Sequence, residues 1–299
     1  MRAMWQPEPG WQQLPSGPGS STGGVWLAGD RIVKRLNAPL PGDPAELSVP
    51  AHFAYWRRPV EVALSGAVED TPGLRATPAL GVDEDTDGVT LWSAHVVEAP
   101  PSGLFIARSM ARFAGAELAS YPWLARRQLA DRIRRVEHRG GWRVLARTTV
   151  ADVADRLWSQ RAHHLRLLDA LPQVPQHGDP TPQNFIAHDG VSVIALDWAT
   201  LGLGPVGADL GYYALSARED FEHLVDAYVA ALPGGLASRA DVELGARVSA
   251  VYTVLSRAEW ALAQAAEGEG ALAAKFRHPS VAPHLRAMQR QFPQIEALL

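Results

Sequence analysis

The chain has no cysteine among its 299 residues, which excludes disulfides, thiolate-bound zinc, iron–sulfur clusters and a thiol nucleophile. Lysine is almost missing as well. Lys34 and Lys275 are two of 28 basic residues, leaving 26 arginines, so a lysine in a strand calls for a chemical reason that arginine does not meet. No apolar run reaches the ~18 residues of a membrane span, and the opening residues lack the apolar stretch of a secretory leader. We expect a cytoplasmic protein with no membrane partner. A net charge of −4 and a pI near 6.2 supply no general field for a nucleic-acid backbone, which argues against nucleic acid as a partner. A G-x4-G-K-[ST] phosphate loop, an H-E-x-x-H zinc signature and internal repeats are all absent from the sequence. What remains is a globular composition, 47% hydrophobic and 20% charged, in a chain of roughly two domains' length.

Glycine, proline and short β-type runs crowd the first hundred residues, and longer helical patterns fill the rest. Pro100 and Pro101 mark the break, giving an expected N-terminal lobe of residues 1–98 and a C-terminal lobe of residues 99–299. Residues 25–28 and 32–36 read as a hairpin turned at Gly29 and Asp30, which puts Lys34 on its second strand. Helical stretches follow over residues 46–64, interrupted by Pro50 and Pro59, and a strand resumes at 88–92. Apolar spacing predicts helices over 105–120, 124–138 and 150–171, the last with Leu157, His164 and Leu168 facing a core. A loop and hairpin follow, with strands near 184–187 and 191–196 turned at Asp189 and Gly190. Helices return over 221–232, 241–267 and 283–292.

The chemistry concentrates in the run His177, Gly178, Asp179, Pro180, Thr181, Pro182, Gln183, Asn184, followed by Asp197 at the end of an apolar strand. Singly these are ordinary loop residues. Together, Asp179 and Asn184 share one loop, and the hairpin returns the chain so that Asp197 faces it. Two carboxylates and an amide so arranged suit magnesium, a hard cation that takes oxygen ligands and leaves positions for substrate phosphates. Such a site serves phosphoryl transfer. One Asp orients the acceptor hydroxyl's proton, an Asn and a second Asp hold the metal, and a strand lysine faces the nucleotide phosphates.

The stretches HGDPTPQN, VIALDWA and GPVGADLGYY resemble the aminoglycoside phosphotransferase and choline kinase-like superfamily, relatives of protein kinases. The likeness is dense over residues 172–213 and thin elsewhere. It implies an α+β, two-lobed protein-kinase-like fold, with a small β-rich N-terminal lobe and a larger, mostly helical C-terminal lobe. It implies Asp179 as the catalytic base, Asn184 and Asp197 as Mg2+ ligands, His177 as a residue that shapes the loop, and Lys34 as the nucleotide-binding lysine. Glu61 is the chosen acid partner of Lys34, with Glu46 or no ion pair as alternatives, since a Glu in such sequences falls where this chain has Pro59. Residues 93–96 take the place of the inter-lobe hinge, where the backbone of Ala94 and Val96 would pair with adenine. Asp209 is expected as a structural acid that caps the following helix. The Gly-rich run of residues 16–24 departs by one position from G-x-G-x-x-G and reads equally as a linker or a phosphate cover.

The expected function is transfer of the γ-phosphate of ATP or GTP, with Mg2+, to a hydroxyl of an antibiotic or similar small metabolite. Two rivals stand beside it. One is a kinase-like nucleotide-binding module without catalysis, the other a metal-dependent hydrolase built on His177, Asp179 and Asp197. Outside the cluster, Trp260 reads as a core residue, with the lining of an acceptor pocket as the alternative, and Glu267 and Glu269 as solvated or as attractors of a cationic acceptor.

Overall fold

A left-handed Gly29 (φ 64°) closes the expected hairpin in the computed structural model, which describes residues 5–15, 21–266 and 279–299. Gln12–Leu14 (β1), Thr22–Ala28 (β2) and Arg31–Asn37 (β3) are followed by Arg58–Ser65 (α1), Leu74–Ala76 (β4), Ala79–Glu84 (β5) and Gly88–Ala94 (β6). Five of these strands form an antiparallel sheet in the order β1-β2-β3-β6-β5. Its own core is small: Leu36 of β3 and Val89 of β6 are buried with Val60 of α1. Pro59 does not interrupt that helix as expected. It lies in the first turn, where a missing N–H forfeits no helical hydrogen bond.

The rest of the chain comprises Gly103–Ala114 (α2), Ala125–Arg126 (β7), Gln128–His138 (α3), Ala151–Asp169 (α4), Gln173–Gln176 (β8), Phe185–His188 (β9), Val193–Ala195 (β10) and Gly202–Pro205 (β11). Ala208–Ala214 (α5), Phe221–Ala231 (α6), Arg239–Ala266 (α7), Ala282–Arg290 (α8) and Phe292–Glu296 (α9) complete it. The main core gathers Phe113, Leu157, Leu210, Leu224 and Tyr252 from five of these helices. Two three-stranded sheets, β4-β10-β9 and β7-β11-β8, accompany it. β4 comes from the first hundred residues yet pairs in parallel with β10, so that part of the chain is not confined to the N-terminal sheet. Helix α5 meets α7 backbone to backbone. A Cβ added at Gly211 would lie 2.0 Å from the Ala246 carbonyl oxygen, so glycine is required for the approach that delivers Asp209 and Tyr212.

Arg58, the first residue of α1, is fully buried. Its Nε donates to the carbonyl of Trp123 (2.6 Å), Nη1 to those of Phe53 (2.9 Å) and Ala199 (2.7 Å), and Nη2 to those of Pro50 (2.7 Å) and His52 (2.6 Å). A guanidinium has five N–H donors, and all five are used. Burial lowers its pKa to about 10, so it remains charged at neutral pH. Replacing it leaves buried carbonyls without a donor, and Arg58→Met is expected to lose about 3 kcal/mol or more of stability, read as a lower urea midpoint. Arg58→Lys, with three donors, restores only part. An unchanged midpoint in Arg58→Met would show that these carbonyls do not depend on the guanidinium.

Candidate active site

The loop after β8 begins with His177, which is completely buried. Gly178 follows at φ 81°, and a Cβ there would lie 2.5 Å from the Thr200 carbonyl oxygen, so the turn demands glycine. Pro180 and Pro182 then fix φ and withdraw two donors. The Thr181 N–H bonds to the Asp179 carbonyl (2.9 Å), and the Asn184 N–H to the Thr181 carbonyl (2.9 Å). The Asn184 side-chain NH2 donates back to the Asp179 carbonyl (2.8 Å), and its Oδ1 can serve only as an acceptor.

His177 ties this loop to the end of β10. Its Nε2 lies 2.7 Å from the Leu196 carbonyl oxygen and its Nδ1 3.3 Å from the Asp179 backbone nitrogen. One tautomer meets both: Nε2–H donates and Nδ1 accepts. Burial lowers the pKa of this imidazole, against the attraction of the nearby Asp179 and Asp197 carboxylates. The Leu196 N–H also meets the Asn184 carbonyl (2.8 Å), and Thr200 Oγ1 donates to the His177 carbonyl (3.0 Å).

These bonds bring Asp197 to the loop in a left-handed backbone conformation, φ 58°, which costs a non-glycine residue about 1 kcal/mol. Its Oδ1 accepts from Lys34 Nζ of β3 at 2.7 Å. That ammonium holds the Asp197 carboxyl below the usual carboxylate range. Asp209 does not cap α5, whose N-cap is Gly207. Its carboxylate instead accepts from the N–H groups of His177 (2.7 Å) and Gly178 (3.0 Å), bracing the loop from beneath. Burial pushes its pKa up to about 7, against the pull of those two donors.

On its other side, Asp179 Oδ1 accepts from the Tyr212 hydroxyl, and Arg257 donates to the oxygen of the same hydroxyl. Arg257 also stands 4.0 Å from the Asp179 carboxylate. Burial raises the Tyr212 pKa to about 12, so the phenol keeps the proton it donates. Sequence reasoning missed both residues. Tyr212 lies inside the GPVGADLGYY stretch, but no spacing marked it, and Arg257 is one arginine of 26 on a distant helix.

Glu61 does not meet Lys34. It pairs with Arg57 one helical turn earlier (3.0 Å), which also binds Glu84, and Glu46 pairs with Arg135 (2.8 Å). An i,i+4 neighbour outcompetes a lysine already drawn to Asp197. At the hinge position the Ala94 N–H bonds to the Pro78 carbonyl (3.3 Å) and the His95 N–H to the Asp30 carbonyl (3.0 Å), with Val96 just beyond β6. Trp260 is 44% exposed and stands edge-on to His284, not in the core. Glu267, Glu269 and residues 16–20 of the Gly-rich run lie outside the described residues, and residues 22–24 open β2.

A β-rich N-terminal sheet joined to a helical region, with a strand lysine paired to Asp197 beside the loop of Asp179 and Asn184, defines a protein-kinase-like fold. Residues 59–242 match the phosphotransferase enzyme family, and the chain belongs to that family. Its fold is similar to that of a choline/ethanolamine kinase family protein from Mesorhizobium loti, with a TM-score of 0.58 and 19% identity over 96% of this chain and 92% of that one. It is likewise similar to choline kinase LicA from Streptococcus pneumoniae, with a TM-score of 0.58 and 10% identity over 96% and 93%. Aminoglycoside phosphotransferase APH(3'')-Id from Streptomyces rimosus, solved also with ADP and streptomycin, gives a TM-score of 0.54 and 20% identity over 81% and 92%. Comparison with curated protein sequences finds no match.

The neutral, buried His177 has a pH consequence. Below about 6.5 the unfolded chain takes up a proton there that the native imidazole refuses, so stability falls as pH falls, by at most ~1.4 kcal/mol per pH unit. His177→Gln retains a donor and an acceptor but no titration. Its unfolding free energy is expected to drop less than that of wild type between about pH 7 and pH 5.5 in urea melts. Parallel slopes would show that the native histidine titrates normally.

Proposed function

We propose that this protein is a kinase that uses Mg2+ to transfer the γ-phosphate of ATP or GTP to a hydroxyl of a small molecule. The observation that carries the reading is the Lys34–Asp197 pair tied through His177 and Leu196 to the loop of Asp179 and Asn184, in a chain of the phosphotransferase family. Nucleotide use is supported by the fold neighbours solved with ADP or GDP, and a small hydroxyl acceptor by neighbours named as choline and ethanolamine kinases and aminoglycoside phosphotransferases. An antibiotic or similar metabolite is the acceptor class these names suggest. In this reading residues 1–98 form the nucleotide lobe and 99–299 the acceptor lobe, in a cytoplasmic protein.

The donor set suits magnesium. Asn184 Oδ1 and the Asp197 carboxylate oxygen not bound by Lys34 are hard oxygen ligands, and Mg2+ held by them would neutralise charge on the phosphates. Lys34 supplies a compact ammonium at the same place, shared between Asp197 and a phosphate oxygen. The Tyr212 hydroxyl fixes one oxygen of Asp179, leaving the second to take the acceptor's proton. His177 takes no proton, since both ring nitrogens are engaged. It keeps Asp179 and Asp197 in register. With the Ala94 N–H held by Pro78, the Ala94 carbonyl and the backbone of Val96 would meet the adenine edge.

Asp179→Asn is expected to lower kcat by about 10²–10⁴ while nucleotide affinity, measured by calorimetry, stays near wild type. Turnover within about threefold of wild type under chemistry-limited conditions would remove Asp179 as the base. Lys34→Arg should rescue poorly relative to Lys34→Ala. The longer planar guanidinium demands bidentate geometry where an ammonium acts as a point charge, so turnover suffers more than nucleotide binding. Wild-type kinetics in Lys34→Arg would reduce Lys34 to a generic counter-ion.

A further inference from the structure

Two guanidinium groups lie over the ring of Tyr212, whose hydroxyl donates to Asp179. Arg257 of α7 covers the Tyr212 ring at 4.3 Å and Arg132 of α3 covers it at 5.5 Å. Arg257 reaches the Tyr212 hydroxyl and the edge of Asp179. Arg132 makes a long 3.4 Å contact to the Gly178 carbonyl and lies over the Phe53 ring at 4.8 Å. Among the described residues, carboxylates on the adjoining elements are held by other arginines: Asp131 by Arg134 (2.9 Å), Glu46 by Arg135 (2.8 Å) and Glu259 by Arg139 (3.0 Å). Among those residues, too, Asp179 is the single carboxylate within 4.0 Å of Arg257, and none lies within 4.0 Å of Arg132, which acts on Asp209 at longer range.

Arg257 stands at the 4.0 Å limit of an ion pair with Asp179, so a nearer anion can draw it. Two arginines over one aromatic ring present forked donors that match a carboxylate or phosphate. A cationic acceptor would meet like charge from both. We propose that the acceptor is an acidic hydroxyl compound, whose own carboxylate or phosphate binds Arg257 and Arg132 beside Tyr212 while its hydroxyl meets Asp179. The inference rests on the kinase reading above. The step balances: the acceptor's O–H proton passes to Asp179, its oxygen bonds to the γ-phosphorus, and the bond from that phosphorus to the β,γ-bridging oxygen breaks to release the nucleoside diphosphate.

Gluconate, glucose phosphate, glucose, choline and streptomycin can be compared by calorimetry on the full chain saturated with a non-hydrolysable MgATP analogue, and as acceptors by ADP release with MgATP. The two acids are expected to bind about tenfold or more tightly than glucose, and the relative response to gluconate and glucose phosphate separates a carboxylate from a phosphate preference. Arg257→Gln should lose that preference, Arg257→Lys should keep part of it, and Arg132→Gln should weaken it with nucleotide affinity within about twofold of wild type. Tighter binding of choline or streptomycin, equal binding of acids and glucose, or an Arg257→Gln variant that loses kcat with unaltered acid affinity each overturns the proposal. Failure of the kinase reading looks different. Acids then bind in an Arg257-dependent way, but Asp179→Asn leaves turnover unchanged.

Discussion

The fold hangs on a buried guanidinium. Arg58 gathers carbonyls from the segment before α1, from Trp123 ahead of β7, and from Ala199, two residues beyond Asp197. Backbone bonds from Ala125 to Leu201 and from Arg126 to Ala51 (3.0 Å each) already hold these pieces side by side, and a carbonyl in a dry interior needs a donor. One side chain with five diverging N–H groups meets that need. It thereby ties the helix packed on the N-terminal sheet to the loop that carries Asp197, the residue that Lys34 of that sheet must reach.

Around this joint the charges are arranged in opposition. Asp197 is held by Lys34 from the sheet side, and Asp179 has Arg257 on the helical side. Between them His177 is buried and neutral, hydrogen-bonded toward both ends of the loop. Two carboxylates close together repel unless each has its own cation or a metal between them. The arrangement therefore presents two acidic groups at one place, each with its own cation beside it. Beneath the loop, Asp209, set by the tight contact at Gly211, holds the backbone from which Asp179 projects.

Much of this was readable along the chain. The hairpin at Gly29, the helices now seen as α2, α4, α6 and α7, the return of β9 to β10, and the loop carrying Asp179 and Asn184 all follow from short-range rules: glycine where φ is positive, proline where a donor is not needed, apolar residues at helical spacing. Other readings changed. Pro59 begins a helix that it was expected to interrupt, Asp209 receives loop N–H groups where a cap was expected, Trp260 is partly exposed, and Glu61 serves Arg57.

The sequence by itself determined the local conformation and the chemical types brought to it, because steric limits on φ and hydrogen bonds a few residues apart act within the segment that carries them. The partners of the charged groups were decided only by the tertiary structure. Which of 26 arginines stands beside Asp179, and which carboxylate takes Lys34, depends on distances between segments far apart in the chain. Coulomb attraction and burial select among chemically identical side chains only by where the packed core puts them.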